Sequence, residues 1–177
     1  MSSIASDKKV WLLTGGPGVG KTTIIRRVLR EARPSAGGFY TEEIRLGGVR
    51  EGFRIVTLDG SEAVLAHERN KGRHRVGKYG VDVAAMDTTG VPAIRDAVRS
   101  SDVVVIDEIG RMELFSSLFR SAVTEALDSG RKVIGTIMLA PDAWADGVKR
   151  RPDVEIVPVT RSNHEEVVRG LVGWLNT

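Results

Sequence analysis

The 177-residue chain has no cysteine, which excludes disulfides, thiolate metal sites and a cysteine nucleophile. Aromatic residues make up only 5%, so a core must be assembled mainly from aliphatic side chains. Long apolar runs are missing too: Val10 to Leu13 is followed at once by Thr14 and glycines. That is too short for a signal sequence, and nothing elsewhere approaches a membrane span. Internal repeats and low-complexity tracts are also lacking. The expectation is a cytoplasmic protein that makes no use of a membrane.

Hydrophobic residues at 41% and charged residues at 28% are those of an ordinary soluble globule. The length suits one domain spanning 1–177. The charge is modest, with a formal excess of +3 and a pI near 9.4. Basic residues gather in Arg69 to Lys78 (RNKGRHRVGK). Such a run either contacts a polyanion such as nucleic acid or forms a solvated loop; being short, it favours the loop, and nucleic acid is the less favoured partner.

Val10 to Thr14 reads as a buried strand entering the glycines at 15 and 16. Ile24, Ile25, Val28 and Leu29 then recur at helical spacing until Pro34 forces a stop. Between about 38 and 80, short apolar stretches separated by Gly47-Gly48 and Asp59-Gly60 predict a small antiparallel β-hairpin insertion. Its first strand, near Phe39, could also belong to the main sheet. Phe39 and Phe53 are expected in the core of this insertion.

Further on, Val91 to Val98 predicts a helix and Val103 to Ile106 a central strand; Leu114–Leu127, Lys132–Ile137, Pro141–Lys149, Val154–Val159 and Glu165–Trp174 continue as helix, strand, helix, strand and helix. Alternating strands and helices imply an α/β three-layer fold around a mainly parallel central sheet.

Gly15, Gly16, Pro17, Gly18, Val19, Gly20, Lys21, Thr22 and Thr23 spell GGPGVGKTT, which satisfies GxxxxGK(S/T) between a predicted strand and a predicted helix. Glycines let consecutive backbone N–H groups wrap a phosphate. The following helix start adds a partial positive charge. In such a P-loop Lys21 reaches the β- and γ-phosphates, and the Thr22 hydroxyl ligates Mg²⁺.

Asp107 and Glu108 end the apolar strand, which delivers them to the carboxyl edge of the sheet where the glycine loop also opens. Asp107 is expected to hold Mg²⁺, through a water, and Glu108 to orient and deprotonate an attacking water. A second carboxylate beside the metal ligand points to hydrolysis over transfer. A kinase-type phosphotransferase and a nucleotide-gated RNA- or partner-binding module stand as alternatives. Thr136 either bonds the γ-phosphate or attacking water or is simply a strand threonine. Arg111 either offsets transition-state charge or pairs with Glu113 or Glu108.

GGPGVGKTT, GFYTEEIR (Gly38 to Arg45), GFRIV (Gly52 to Val56), VGKYGV (Val76 to Val81) and VVVIDEIGRMELFS (Val103 to Ser116) together resemble the cancer-related nucleoside-triphosphatase family, the THEP-type NTPases. The likeness runs from about Val10 to Val168. It implies a compact P-loop fold with a β insertion, and Mg²⁺-dependent hydrolysis of nucleoside triphosphates (ATP, GTP, CTP and UTP) with weak base preference; a monomer is expected. It carries over Gly15 to Thr22 as phosphate site, Asp107 as metal-linked acid and Glu108 as base. The chain departs from the family pattern at Arg111, usually Lys, at His164, usually Arg, and at Met138, where Pro is common. Ser162 and Asn163 are expected to cap the last helix. Lys78 or Arg73 either reaches the phosphates from a lid or belongs to a solvated flap.

Overall fold

The structure, a computed structural model, describes residues 7–177; residues 1–6 lie outside the described residues. β1 (Val10–Thr14) passes through the glycine loop into α1 (Lys21–Ala32). Next come β2 (Ala36–Leu46), β3 (Val49–Thr57), β4 (Glu62–His67), β5 (Arg75–Val76) and β6 (Tyr79–Val81). α2 (Val83–Ala85), a π turn at Met86–Gly90 and α3 (Val91–Ser100) run on from one another. β7 (Val103–Ile109), a 3-10 turn at Glu113–Phe115 and α4 (Ser117–Asp128) precede β8 (Lys132–Ile137), α5 (Ala143–Lys149), β9 (Val154–Pro158) and α6 (His164–Leu175).

The strands form one sheet in the order β5-β6-β4-β3-β2-β7-β8-β1-β9. Pairing is parallel from β2 to β9 and antiparallel on the other side of β2. The segment read as a hairpin insertion thus continues the main sheet. β2 is the joint: Ala36–Tyr40 pairs with Val103–Asp107 of β7, while Phe39–Leu46 pairs with β3. Gly38 makes this possible, with φ +114 and a position where any Cβ would run into the carbonyl oxygen of Val105.

Side-chain alternation splits the core between the two faces of the sheet. Trp11 and Leu13 of β1, with Val103 and Val105 of β7, pack under Ile24, Ile25 and Val28 of α1 and Val168, Leu171 and Trp174 of α6. Val10 and Leu12, with Val104 and Ile106, face Ile94 of α3 and Phe119 and Val123 of α4. Burial on both faces is why β7 reads as an unbroken apolar run. Each such aliphatic contributes about 1.5–3 kcal/mol of transfer free energy. Phe39 belongs to this central core, edge-on to Phe119 at 6.2 Å, while Phe53 packs against Tyr79 at 5.3 Å.

Two helix starts fall later than apolar spacing suggests, and capping explains both. Ser116 Oγ accepts from Phe119 N at 2.9 Å, which begins α4 after the 3-10 turn. Asp142 Oδ1 accepts from Trp144 N and Ala145 N at 2.9 Å, which begins α5.

Candidate active site

The loop 15–20 connects the end of β1 to α1, and its shape depends on two left-handed glycines, Gly18 (φ +75) and Gly20 (φ +96). Gly20 O accepts from Ile24 N at 3.0 Å, opening the helix, so the unpaired N–H groups of the first turn point at the loop mouth. Lys21 Nζ donates to Gly15 O at 2.8 Å and Gly16 O at 3.1 Å, bringing the ammonium across the loop.

Thr22, on the first turn of α1, donates to Asp107 Oδ2 at 2.6 Å. Thr136, on β8, donates to Asp107 Oδ1 at 2.7 Å. β8 lies between β7 and β1, so it supports the acid from beneath the loop. Thr136 is 1% and Asp107 2% exposed. Thr136 is therefore occupied with Asp107, an arrangement the sequence reading did not include. Burial pushes the Asp107 carboxyl above its ordinary range; the two hydroxyls and the charges of Lys21 and Arg26 act in the opposite direction.

Glu108 is half-buried beside it. Burial and the neighbouring Asp107 charge push its pKa up, opposed by Lys21. Arg111 follows the strand on an exposed turn and makes no ion pair among the described residues. The pair considered with Glu113 does not form because the 3-10 turn directs Glu113 inward, to 3% exposure.

Arg26, which sequence reasoning passed over, reaches the site edge together with Tyr40, Glu42 and His164. Arg26 lies one turn beyond Thr22 on α1, its guanidinium 4.4 Å from the Tyr40 ring and paired with Glu42. Glu42 also accepts from Arg54 at 2.9 Å. Tyr40 stands opposite Asp107 in the sheet register. The helical period from Thr22 to Arg26 was a usable signal, but its partner across the sheet was not. His164 packs on the glycine loop: a Cβ on Gly20 would lie 2.8 Å from its Cε1.

Of the expected cap of α6 by Ser162 and Asn163, the position is found at Asn163 but the side-chain hydrogen bond is not. Asn163 occupies the cap position, but its side chain turns back to accept from Thr160 N at 2.8 Å and donate to Pro158 O at 2.9 Å, while Ser162 shares a hydrogen bond with Thr160. The asparagine closes the preceding turn in preference to the helix.

In the basic loop, Lys78 pairs with Glu68 at 3.3 Å, Arg73 donates to His74 and Arg75 donates to Asn70 O and Lys78 O. A hollow of about 480 Å³ beside Lys71 and Arg75 lies at the β5 edge of the sheet, away from the glycine loop.

Thr22 and Asp107 present hard oxygen atoms side by side, and the described residues hold no cluster of three or more His, Cys, Asp or Glu that would cage a metal alone. That donor set fits Mg²⁺, which keeps few protein ligands and fills its shell with water and phosphate oxygens. A glycine loop between β1 and α1, with acids at the end of a buried parallel strand, defines a P-loop α/β protein.

The particular family follows from comparison. A family described as NTPase matches residues 10–172, and the chain belongs to it. It is 42% identical over 164 residues to nucleoside-triphosphatase THEP1 of Thermotoga sp. (strain RQ2), covering 93% of this chain and 94% of the relative. It is 42% identical over 176 residues to the cancer-related nucleoside-triphosphatase of Homo sapiens, covering 90% and 93%. The crystal structure of THEP1 from the hyperthermophile Aquifex aeolicus superposes with a TM-score of 0.87 at 31% identity, over 95% of this chain and 99% of that one.

Proposed function

We propose that this chain is an Mg²⁺-dependent nucleoside triphosphatase, one domain with the β strands of about 38–80 inserted, that hydrolyses ATP, GTP, CTP and UTP to the diphosphate and phosphate. The observation that carries this reading is Asp107, buried and held between Thr22 of the phosphate loop at 2.6 Å and Thr136 at 2.7 Å, with Glu108 next to it. The names of the relatives, nucleoside-triphosphatases over nearly their whole length, support the same reaction class.

Gly15 to Gly20 and the first turn of α1 bind the phosphate chain through backbone N–H groups, and Lys21 moves from the loop carbonyls to the β- and γ-phosphates. Thr22 and Asp107 would hold Mg²⁺, which would neutralise phosphate charge there. Glu108 orients a water and takes its proton as the water oxygen bonds to the γ-phosphorus and the β–γ bridging bond breaks. Thr136 positions Asp107. Arg111, exposed and unpaired among the described residues, is the cation for the transition state.

Phosphate release should be measured for each triphosphate, with and without Mg²⁺ and with and without nucleoside or nucleotide acceptors. The expected result is Mg²⁺-dependent release needing no acceptor, lost in Lys21→Ala and lowered about 10²-fold or more in Glu108→Gln. Transfer to an acceptor faster than release to water would overturn the assignment.

A further inference from the structure

Glu113 has no part in the mechanism above, yet it is charged by nature and 3% exposed. It follows Glu108 by five residues, and Gly110 lets the chain fold back so that both carboxyl groups border the space over its Cα. Glu108 Oε1 and Glu113 Oε2 lie 2.9 Å and 3.0 Å from the single point that a Cβ on Gly110 would occupy. Two anions confined there would repel strongly.

We propose that Glu113 is a positioning residue for Glu108: its buried carboxyl group presents an O–H donor to the Glu108 carboxylate and fixes the direction in which that carboxylate faces the phosphate loop. This rests on Glu108 being the base. Burial first, and the Glu108 charge second, keep the Glu113 proton on well above the ordinary carboxyl range; Asp107 acts the same way, while the backbone N–H groups of Glu113 and Gly110 act against it.

Other charged groups touch the same turn without reaching that carboxyl through a hydrogen bond: Arg120 of α4 donates to Leu114 O, and Asp87 of the π turn accepts from Ser116. His74 of the basic loop lies against Phe115, ring centres 4.9 Å apart. As pH rises through the raised value, Glu113 loses its proton, the donor becomes a second anion, and Glu108 is released from its orientation.

The test compares kcat and KM across pH for wild type, Glu113→Gln, Glu113→Ala and Glu108→Gln, using Mg²⁺ and ATP. Glu113→Ala should lower kcat about 10-fold or more while leaving KM nearly unchanged, because the phosphate loop is intact. Glu113→Gln keeps a neutral donor, so it should hold kcat near neutral pH and lack the alkaline decline expected of wild type.

A merely structural glutamate would move Tm and leave that limb in place. Folded Glu113→Ala with wild-type kcat, or superimposable pH profiles for Glu113→Gln and wild type, would overturn the proposal; if Glu113→Ala does not fold, the Gln profile decides. Full activity in Glu108→Gln would remove the base reading itself, and this proposal with it. An inactive Glu108→Gln beside normal Glu113 variants would remove this proposal alone.

Discussion

Asp107 shows how much of the site depends on single hydrogen bonds. Its two oxygens are each held by a threonine, and Thr136 is so deeply buried that water cannot replace it. Removing the hydroxyl in Thr136→Val keeps the strand shape but leaves Oδ1 without its partner. A hydrogen bond to a charged group contributes about 1.5–3 kcal/mol. Thr136→Val should therefore lose stability of about that size in urea unfolding, and phosphate release should require more Mg²⁺ because Asp107 is then held by Thr22 alone. Unchanged Mg²⁺ dependence would mean that β8 contributes only packing. Arg26 shows the opposite case: its charge reaches Asp107, but its guanidinium is engaged by Tyr40 and Glu42.

Among the elements, β2 has the largest consequences. It is parallel to β7 at one end and antiparallel to β3 at the other, so it links the strand that carries the acids to the strands beyond it. That double pairing depends on Gly38, where a side chain would meet Val105 O and the backbone lies at φ +114. Gly38→Ala should cost about 3 kcal/mol or more, since overpacking and a left-handed Ala both oppose it. Urea unfolding measures this, and a loss under about 1 kcal/mol would show that β2 can shift in register. Gly20 is constrained differently: its φ of +96 shapes the loop, and the His164 imidazole ring takes the space that a Cβ there would need. At element scale the sequence was legible where a period ran uninterrupted. Lys132–Ile137 is the strand read from it, and α1 ends before Pro34. The π turn at Met86–Gly90 left no periodic signal, and the two-residue β5 was too short to have one.

The whole molecule is organised by one sheet with helices on both faces. Because β3 to β6 continue that sheet, they should not unfold apart from the phosphate-binding half. The tryptophans report that half, Trp11 being stacked on Trp174 at 5.3 Å, while far-UV circular dichroism reports all the strands. The two transitions in urea should coincide; an earlier change in circular dichroism would reveal an insertion that melts independently. Sequence alone determined the glycine loop, the acids after a buried strand and the alternation of strands and helices, because backbone conformation and hydrophobic period are written in neighbouring residues. Only the tertiary structure decided that Thr22 and Thr136 meet on Asp107, across 85 and 29 residues, that Glu113 turns inward to Glu108, and that Arg26 is taken up by Glu42. Those contacts depend on strand order and register, which are settled when the two faces of the sheet are buried together and have no signature in any local stretch of chain.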